Sequence, residues 1–277
     1  MSPYRRQADT RAPEVLVCSG LDPSGGAGFI ADVRVISELG GRPSGVVTAL
    51  TVQNTTGVVG SHPCDHEVLG HQLTFLLTDV EVKAVKIGMI GTADIARAIA
   101  NALQLSDARV VWDPVMAASR GDAPLIASSG SAGARSDEHH VEAMNALKSH
   151  LTLITPNKHE LFMLTGLPTG SVSMAEAAAR ELARRLETSV LVKGGHFGGD
   201  DSVDILIQPG GARDELRGPR LQGGEDVHGT GCALSSAIAA YFAHGRELLE
   251  ACTLAKQYVA NLIEHPVHPG RGAAAVR

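Results

Sequence analysis

The chain reads as an α/β protein, a three-layer α/β/α sandwich with helices on both faces of a central, mostly parallel sheet. Three observations predict this. Short β-branched runs alternate with amphipathic, helix-spaced runs along the length. Segments rich in Gly, Asp and Asn follow six strand-like runs ("SGLDPSGGAG", "QNTTG", "KIGMIG", "DPVM", "TPNKHE", "KGGH"), where ligands bind in such sheets. No long linker divides the 277 residues, so 14–277 is expected to be one domain, preceded by a disordered arm at 1–13.

The elements follow in order. "EVLVCSG" from Glu14 is a buried strand, and "GGAGFIADVRVISELGG" a helix with Phe29, Val33 and Ile36 about one turn apart. "SGVVTALTVQ" (44–53) is a strand. "VKAVKIGMIG" (82–91) is a strand ending at glycine, followed by the helix "TADIARAIANALQ". "ARVVWDP" stops at Pro114. The polar stretch 127–140 is expected to be a flexible surface loop, with a lid over 118–140 as the alternative reading. "LTLITPN" is a strand, and "KHELFMLTG" a helix closed by Gly166. "SMAEAAARELARRLE" is a helix in which Ser173 and Glu176 have the spacing of a capping box. "SVLVKGG" is a strand, residues 202–218 a hairpin around Pro209-Gly210-Gly211, and two helices finish the chain.

Composition narrows the function. The chain is 44% hydrophobic and 19% charged, with a formal net charge of −6 and 3% aromatics, which argues against a nucleic-acid partner. No apolar run reaches a membrane span, and "MSPYRRQADTRAPE" lacks the apolar core of a signal peptide. The four cysteines are scattered, with no C-x-x-C, which suggests a reducing, cytoplasmic setting.

Several local motifs do not hold. "GAGFIA" fits a dinucleotide fingerprint but lacks the acidic residue about 20 positions on. "GLDPSGGA" has no Lys-Ser/Thr where a P-loop requires it. "HEVLGH" spaces its histidines five apart, off a shared helix face, so they read as surface histidines. "VHGTGCALSSAIAAYFAHG" has two readings. In one, glycines admit an anion to the free N–H groups and partial positive charge of a helix start, with Cys232 partly thiolate beside it. In the other, it is an ordinary glycine loop before a core helix.

Taken in order, "GLDPSGGAG…AD", "TALTVQNT", "KIGMIG", "WDPVM", "LITPNKHE", "VKGGH" and "HGTGCALSSAIAA" resemble hydroxymethylpyrimidine/phosphomethylpyrimidine kinase, a thiamin-biosynthesis family of the ribokinase-like superfamily. The resemblance covers about Val15 to Glu264. It implies a ribokinase-like sandwich, a homodimer, ATP with Mg²⁺, and a small pyrimidine substrate, 4-amino-5-hydroxymethyl-2-methylpyrimidine. Gly229, Thr230, Gly231 and Cys232 are then the catalytic turn, with Cys232 accepting the hydroxyl proton. Gly20, Asp32, Gln53 and Met89 hold the pyrimidine. Asp113, Asn157, Glu160, Lys193, Gly195 and Thr230 face the nucleotide, Asp113 and Glu160 being nearest the metal.

Each assignment has a structural counterpart. Asp32 could be a solvated helix charge, Gln53 a strand-end polar residue and Met89 core filler. Glu160 could be a carboxylate favoured by a helix dipole, and Lys193 a surface lysine. The chain departs from the family pattern at "ASRGD" (118–122), where Ser119 replaces Lys, and at the acidic "GGEDV" before His228. A pyridoxal kinase is the nearest competing function, and a binding protein that has lost phosphoryl transfer is a third.

Overall fold

The β-branched run at the start of the domain forms β1 (Glu14–Leu21), which leads into α1 (Gly28–Glu38) and back to β2 (Arg42–Asn54), parallel to β1. This computed structural model describes residues 12–116, 136–195, 201–221 and 223–276. β3 (Gly57–Pro63) folds back on β2 as a hairpin, and α2 (His66–Leu77) follows. The chain then crosses β1 to β4 (Ala84–Ile87), and continues through α3 (Ala93–Leu103), β5 (Arg109–Trp112), α4 (Ser136–Leu147) and β6 (Leu151–Ile154). Next come α5 (Lys158–Thr165), α6 (Val172–Leu186), β7 (Ser189–Val192) and the hairpin β8 (Asp201–Ile207) and β9 (Arg213–Pro219). A short 3₁₀ turn (Gly224–Asp226), α7 (Thr230–Ala243) and α8 (Leu248–Glu264) complete the fold.

The nine strands form one sheet in the order β3-β2-β1-β4-β5-β6-β7-β8-β9. β2 through β7 run parallel in that order, and the outer strands β3, β8 and β9 pair antiparallel. Strand order reverses beside β1, so the crevice outside the β1 and β4 carboxyl ends is the natural ligand position.

Period-2 alternation builds two cores. Leu16, Cys18, Val85, Ile87, Val110 and Trp112 face one layer, with α2 to α6. Val15, Val17, Ala84, Val111 and Leu191 face the other, with α1, α7 and α8. α7 is buried nearly all round, against α1, α8, β1, β4 and β5, which explains its run of small residues.

The structure corrects several local expectations. The α1 face toward the sheet is Ala31, Asp32, Val35 and Ile36, while Phe29 and Val33 are half-buried. Ser171, not Ser173, caps α6, accepting from Met174 N–H at 3.2 Å. Glu176 instead pairs with Arg180 and Arg213. Residues 136–140, expected as loop, begin α4. "HEVLGH" lies on α2, a helix the periodicity had not singled out. Residues 1–11 of the arm expected at 1–13, and 118–135 of the loop expected at 118–140, with Ser119, lie outside the described residues.

Ala237 on α7 is fully buried between sheet and helices. Ala237→Leu is expected to lower unfolding free energy by about 1–3 kcal/mol through overpacking, measured by urea denaturation.

Candidate active site

A cleft of about 1280 Å³ opens along the carboxyl edge of the sheet, across the strand-order reversal. It is lined by every predicted site residue except Asp32: Gly20 at the end of β1, Gln53 near the end of β2, Met89 after β4, Asp113 after β5, Asn157 and Glu160 around the start of α5, Lys193 and Gly195 after β7, and Gly229 to Cys232 at α7.

The α7 start has the geometry of an anion site. Gly229 has φ 88°, and a Cβ there would lie 2.0 Å from the Gly26 carbonyl, so only glycine fits. No side chain caps the helix and no acidic residue occupies its first turn. The first-turn N–H groups and the partial positive charge are therefore left for a ligand. The second glycine loop comes equally close: a Cβ on Gly28, with φ 59°, would lie 2.3 Å from the Gly20 carbonyl.

Asp32 does not reach this cleft. Period-2 alternation turns Lys86 of β4 toward α1 and α7, with 0% of its side chain exposed. Its Nζ lies 2.6 Å from Asp32 Oδ2, and Ser236 of α7 donates to Asp32 Oδ1 at 2.8 Å. Both oxygens of Asp32 are committed in a sealed layer below the cleft, so the expectation that it contacts substrate is corrected. The sequence reading also missed Lys86, which raised no signal inside an apolar strand.

The thiol departs from expectation too. Burial pushes Cys232 up to about 11, against the pull of the nearby Lys86 ammonium; Asp32 and Asp113 reinforce the rise, and the Gly28 N–H works against it. Burial thus works against the lowering that a helix start alone would produce.

On the far side of the turn, Lys193 Nζ lies 2.7 Å from Asp113 Oδ1 and 3.3 Å from Glu160 Oε2. Burial would depress Lys193, but Asp113 and Glu160 hold it well above the ordinary lysine value. Burial lifts Glu160 to about 7, with Lys193 opposing. Asn157 and Glu160 form a capping box on α5: Asn157 Oδ1 accepts from His159 and Glu160 N–H, and Glu160 accepts from Asn157 N–H at 2.7 Å. Among the described residues, no three or more His, Cys, Asp or Glu side chains gather to hold a metal on their own.

Met89, Val115, Gln53 and His228 also line the cleft. Gly20 is packed on Met89: a Cβ there would sit 3.0 Å from Sδ. Neither His228 nor Asp22 was assigned a role from sequence, although both stand inside quoted motifs. The chain's last residues hold His228 in place, its N–H donating to Ala274 O at 2.8 Å and its carbonyl accepting from Val276 at 3.0 Å.

A glycine-lined helix start set over the carboxyl edge of a sheet of this topology defines a ribokinase-like α/β/α sandwich. Solved structures agree. Pyridoxal kinase from Staphylococcus aureus in complex with AMP-PCP and pyridoxal aligns with TM-score 0.82 and 26% identity, covering 96% of this chain and 93% of that one. Phosphomethylpyrimidine kinase from Clostridium difficile aligns with TM-score 0.69 and 31% identity, covering 91% and 99%. The chain belongs to the phosphomethylpyrimidine kinase family, whose model matches residues 22–277. It is 37% identical over 249 residues to the hydroxymethylpyrimidine/phosphomethylpyrimidine kinase of Rhizobium meliloti, covering 88% of each chain. Other relatives are longer. The chain spans 32% of the multifunctional ThiED protein of Corynebacterium efficiens and 54% of the bifunctional ThiED of Geobacter sulfurreducens, at 37% and 39% identity.

Lys86→Met would leave the Asp32 carboxylate buried without a counter-charge. It is expected to cost about 3–5 kcal/mol of stability, and adding Asp32→Asn should recover part of the loss in the same denaturation assay.

Proposed function

We propose that the chain transfers the γ-phosphoryl group of ATP to the hydroxymethyl group of 4-amino-5-hydroxymethyl-2-methylpyrimidine, and then to the resulting monophosphate, in thiamin biosynthesis. One observation carries the reading: Gln53 and Met89 line the same cleft as the uncapped turn Gly229–Cys232. Support comes from the family and from the full-length match to the Rhizobium meliloti kinase.

In this reading the pyrimidine stacks by Met89, whose thioether suits an aromatic face, and Gln53 pairs with its polar edge. The nucleotide lies toward Leu216, Val259 and Ile263, where the cleft wall is apolar. The N–H groups of Thr230, Gly231 and Cys232 stabilise negative charge on the moving phosphoryl group. Lys193 turns from its carboxylates toward phosphate, and Asn157 and Gly195 border that end. Asp113 and Glu160 supply hard oxygen donors, which fits Mg²⁺ held mainly through water and phosphate. The metal would neutralise phosphate charge. Cys232 takes the hydroxyl proton as thiolate.

Four free thiols fit a cytoplasmic, reducing setting. Leu50, Val52 and Val59, exposed on the β2–β3 hairpin at the sheet edge, fit the face of a homodimer. Structural likeness favours a second reading, since the pyridoxal kinases align with higher TM-scores than the phosphomethylpyrimidine kinase. ATP turnover on the pyrimidine, its monophosphate and pyridoxal, assayed side by side, separates the two. The pyrimidines are expected to give the highest kcat/KM; preference for pyridoxal overturns the proposal.

Gln53→Ala is expected to raise the pyrimidine KM by about tenfold or more, with kcat changed less, in steady-state assays. Because the thiol is held up to about 11, kcat should climb with pH, by about tenfold per unit between 7 and 9. Cys232→Ala should lose most of kcat while isothermal titration still shows pyrimidine binding. A flat pH profile would remove Cys232 as proton acceptor.

A further inference from the structure

We propose that Asp22 and His228 are positioning residues that fix which way the Gln53 amide faces, and so determine which ring edge the cleft selects. This rests on the pyrimidine reading of the cleft.

Hydrogen-bond accounting leads there. Asp22 Oδ1 accepts from Ser24 N–H at 2.8 Å and Ser24 Oγ at 2.7 Å. Its Oδ2 accepts from Ala27 N–H at 3.1 Å and faces His228 Nε2 at 3.1 Å. Burial alone would raise this acid, yet the His228 and Ser24 hydrogen bonds hold it below the usual carboxylate value. Ionised Asp22 can only accept, so His228 Nε2 carries a proton whether the ring is neutral or charged.

The same Nε2 lies 3.2 Å from Gln53 Nε2. Placed so, the amide sets donor against donor. At its other end Gln53 Oε1 is 3.2 Å from Thr51 Oγ1, whose single hydrogen goes to the nearer Leu21 carbonyl at 2.8 Å. That contact sets acceptor against acceptor. Turning the amide by 180° resolves both conflicts: Oε1 then shares the one Nε2–H of His228 with Asp22 Oδ2 in a three-centre bond, and Nε2 donates to Thr51 Oγ1. Terminal amide orientation is properly assigned from such a network.

The turned amide has one lone pair and one N–H left, side by side. They match a ring edge with an exocyclic amine next to a bare ring nitrogen, as in a 4-aminopyrimidine. A 4-oxo ring offers the reverse, a carbonyl next to a ring N–H. Flipping that ring to restore the match would carry its hydroxymethyl group away from Cys232. Flipping the amide would restore both repulsions. The imidazole cannot swing aside easily, because its backbone is held on both sides by the chain's last residues, and its Cδ2 lies so close to Gly26 that a Cβ there would sit 2.9 Å away.

The experiment compares 4-amino-5-hydroxymethyl-2-methylpyrimidine with its 4-oxo analogue, by calorimetric binding without ATP and by kcat/KM with ATP. Wild type should prefer the amino ring by at least about 30-fold in both readouts. In His228→Gln, whose amide donates or accepts equally well, and in Thr51→Val, which removes the acceptor for the amide N–H, that ratio should fall to within about fivefold. KM for the amino ring should rise more than kcat falls. A merely structural role would weaken both rings alike and leave the ratio unchanged, which overturns the proposal. Should either variant not fold, the wild-type measurement still decides: near-equal affinity for the two rings overturns it, and so does binding of neither. Selective binding of the amino ring without phosphoryl transfer would instead sink the proposed function and leave this assignment standing.

Discussion

The buried ion pair between Lys86 and Asp32 is the constraint on which the site depends. It joins the middle of the sheet to α1, and through Ser236 it reaches α7. These are the elements whose ends make the glycine turn. Two charges taken out of water cost several kcal/mol each, and their attraction repays this only with good geometry and further hydrogen bonds. Here Asp32 has both oxygens satisfied, and Lys86 also approaches Ser19 Oγ at 3.4 Å. The pair ties three elements together and is neutral as a unit, so Lys86 and Asp32 act on Cys232 with opposite sign. In a chain of net charge −6, the positive potential offered to an anion comes from the uncapped start of α7, without a basic surface.

Much of the fold was legible, because it rests on features a single sequence shows. Short, continuously apolar runs rich in β-branched residues gave the central strands. Gly166, with φ 71°, closes α5 where a C-terminal glycine was expected. Less visible were elements with mixed signals. β3, "GVVGSHP", has glycine and proline among its seven residues. α2 begins with histidines and glutamate that read as surface polarity. The capping of α6 was misplaced by two residues because Ser171 and Ser173 are both competent caps, and only the backbone distinguishes them: Ser171 takes extended angles.

Site residues divide in the same way. The strand-end rule singled out the segments that carry Gln53, Asp113 and Lys193, and the resemblance picked out the residues within them. Asp32 could not. On a helical wheel it is an ordinary charge, and only the sheet opposite reveals that it faces a lysine. Lys86 was invisible for the complementary reason, since a lysine flanked by Val85 and Ile87 carries no mark of its partner in sequence. His228 and Asp22 stood in plain view, but their contact spans 206 positions of chain, and no local pattern encodes it. Cys232 fails differently. The helix start that lowers a thiol and the burial that raises it act on the same atom, and that burial comes from elements distant in sequence.

The two ends of the cleft obey different physical rules, and this bears on how the fold admits related substrates. The proposed phosphate end is made of backbone N–H groups and glycines, which no side-chain substitution can easily retune: Gly229 is locked by φ and by its contact with Gly26. The proposed ring end is lined by side chains, Gln53, Met89, Val115 and His228, whose donors and acceptors can be rearranged by small changes. A site divided this way lets ring-contacting side chains change without disturbing the backbone donors of the turn. It is in keeping with structural likeness to a pyridoxal kinase at TM-score 0.82 in a chain that belongs to the phosphomethylpyrimidine kinase family. Overall shape therefore says little about which ring is accepted. The information lies in the direction of a few hydrogen bonds at the ring end, where one amide turned the wrong way would present the opposite edge.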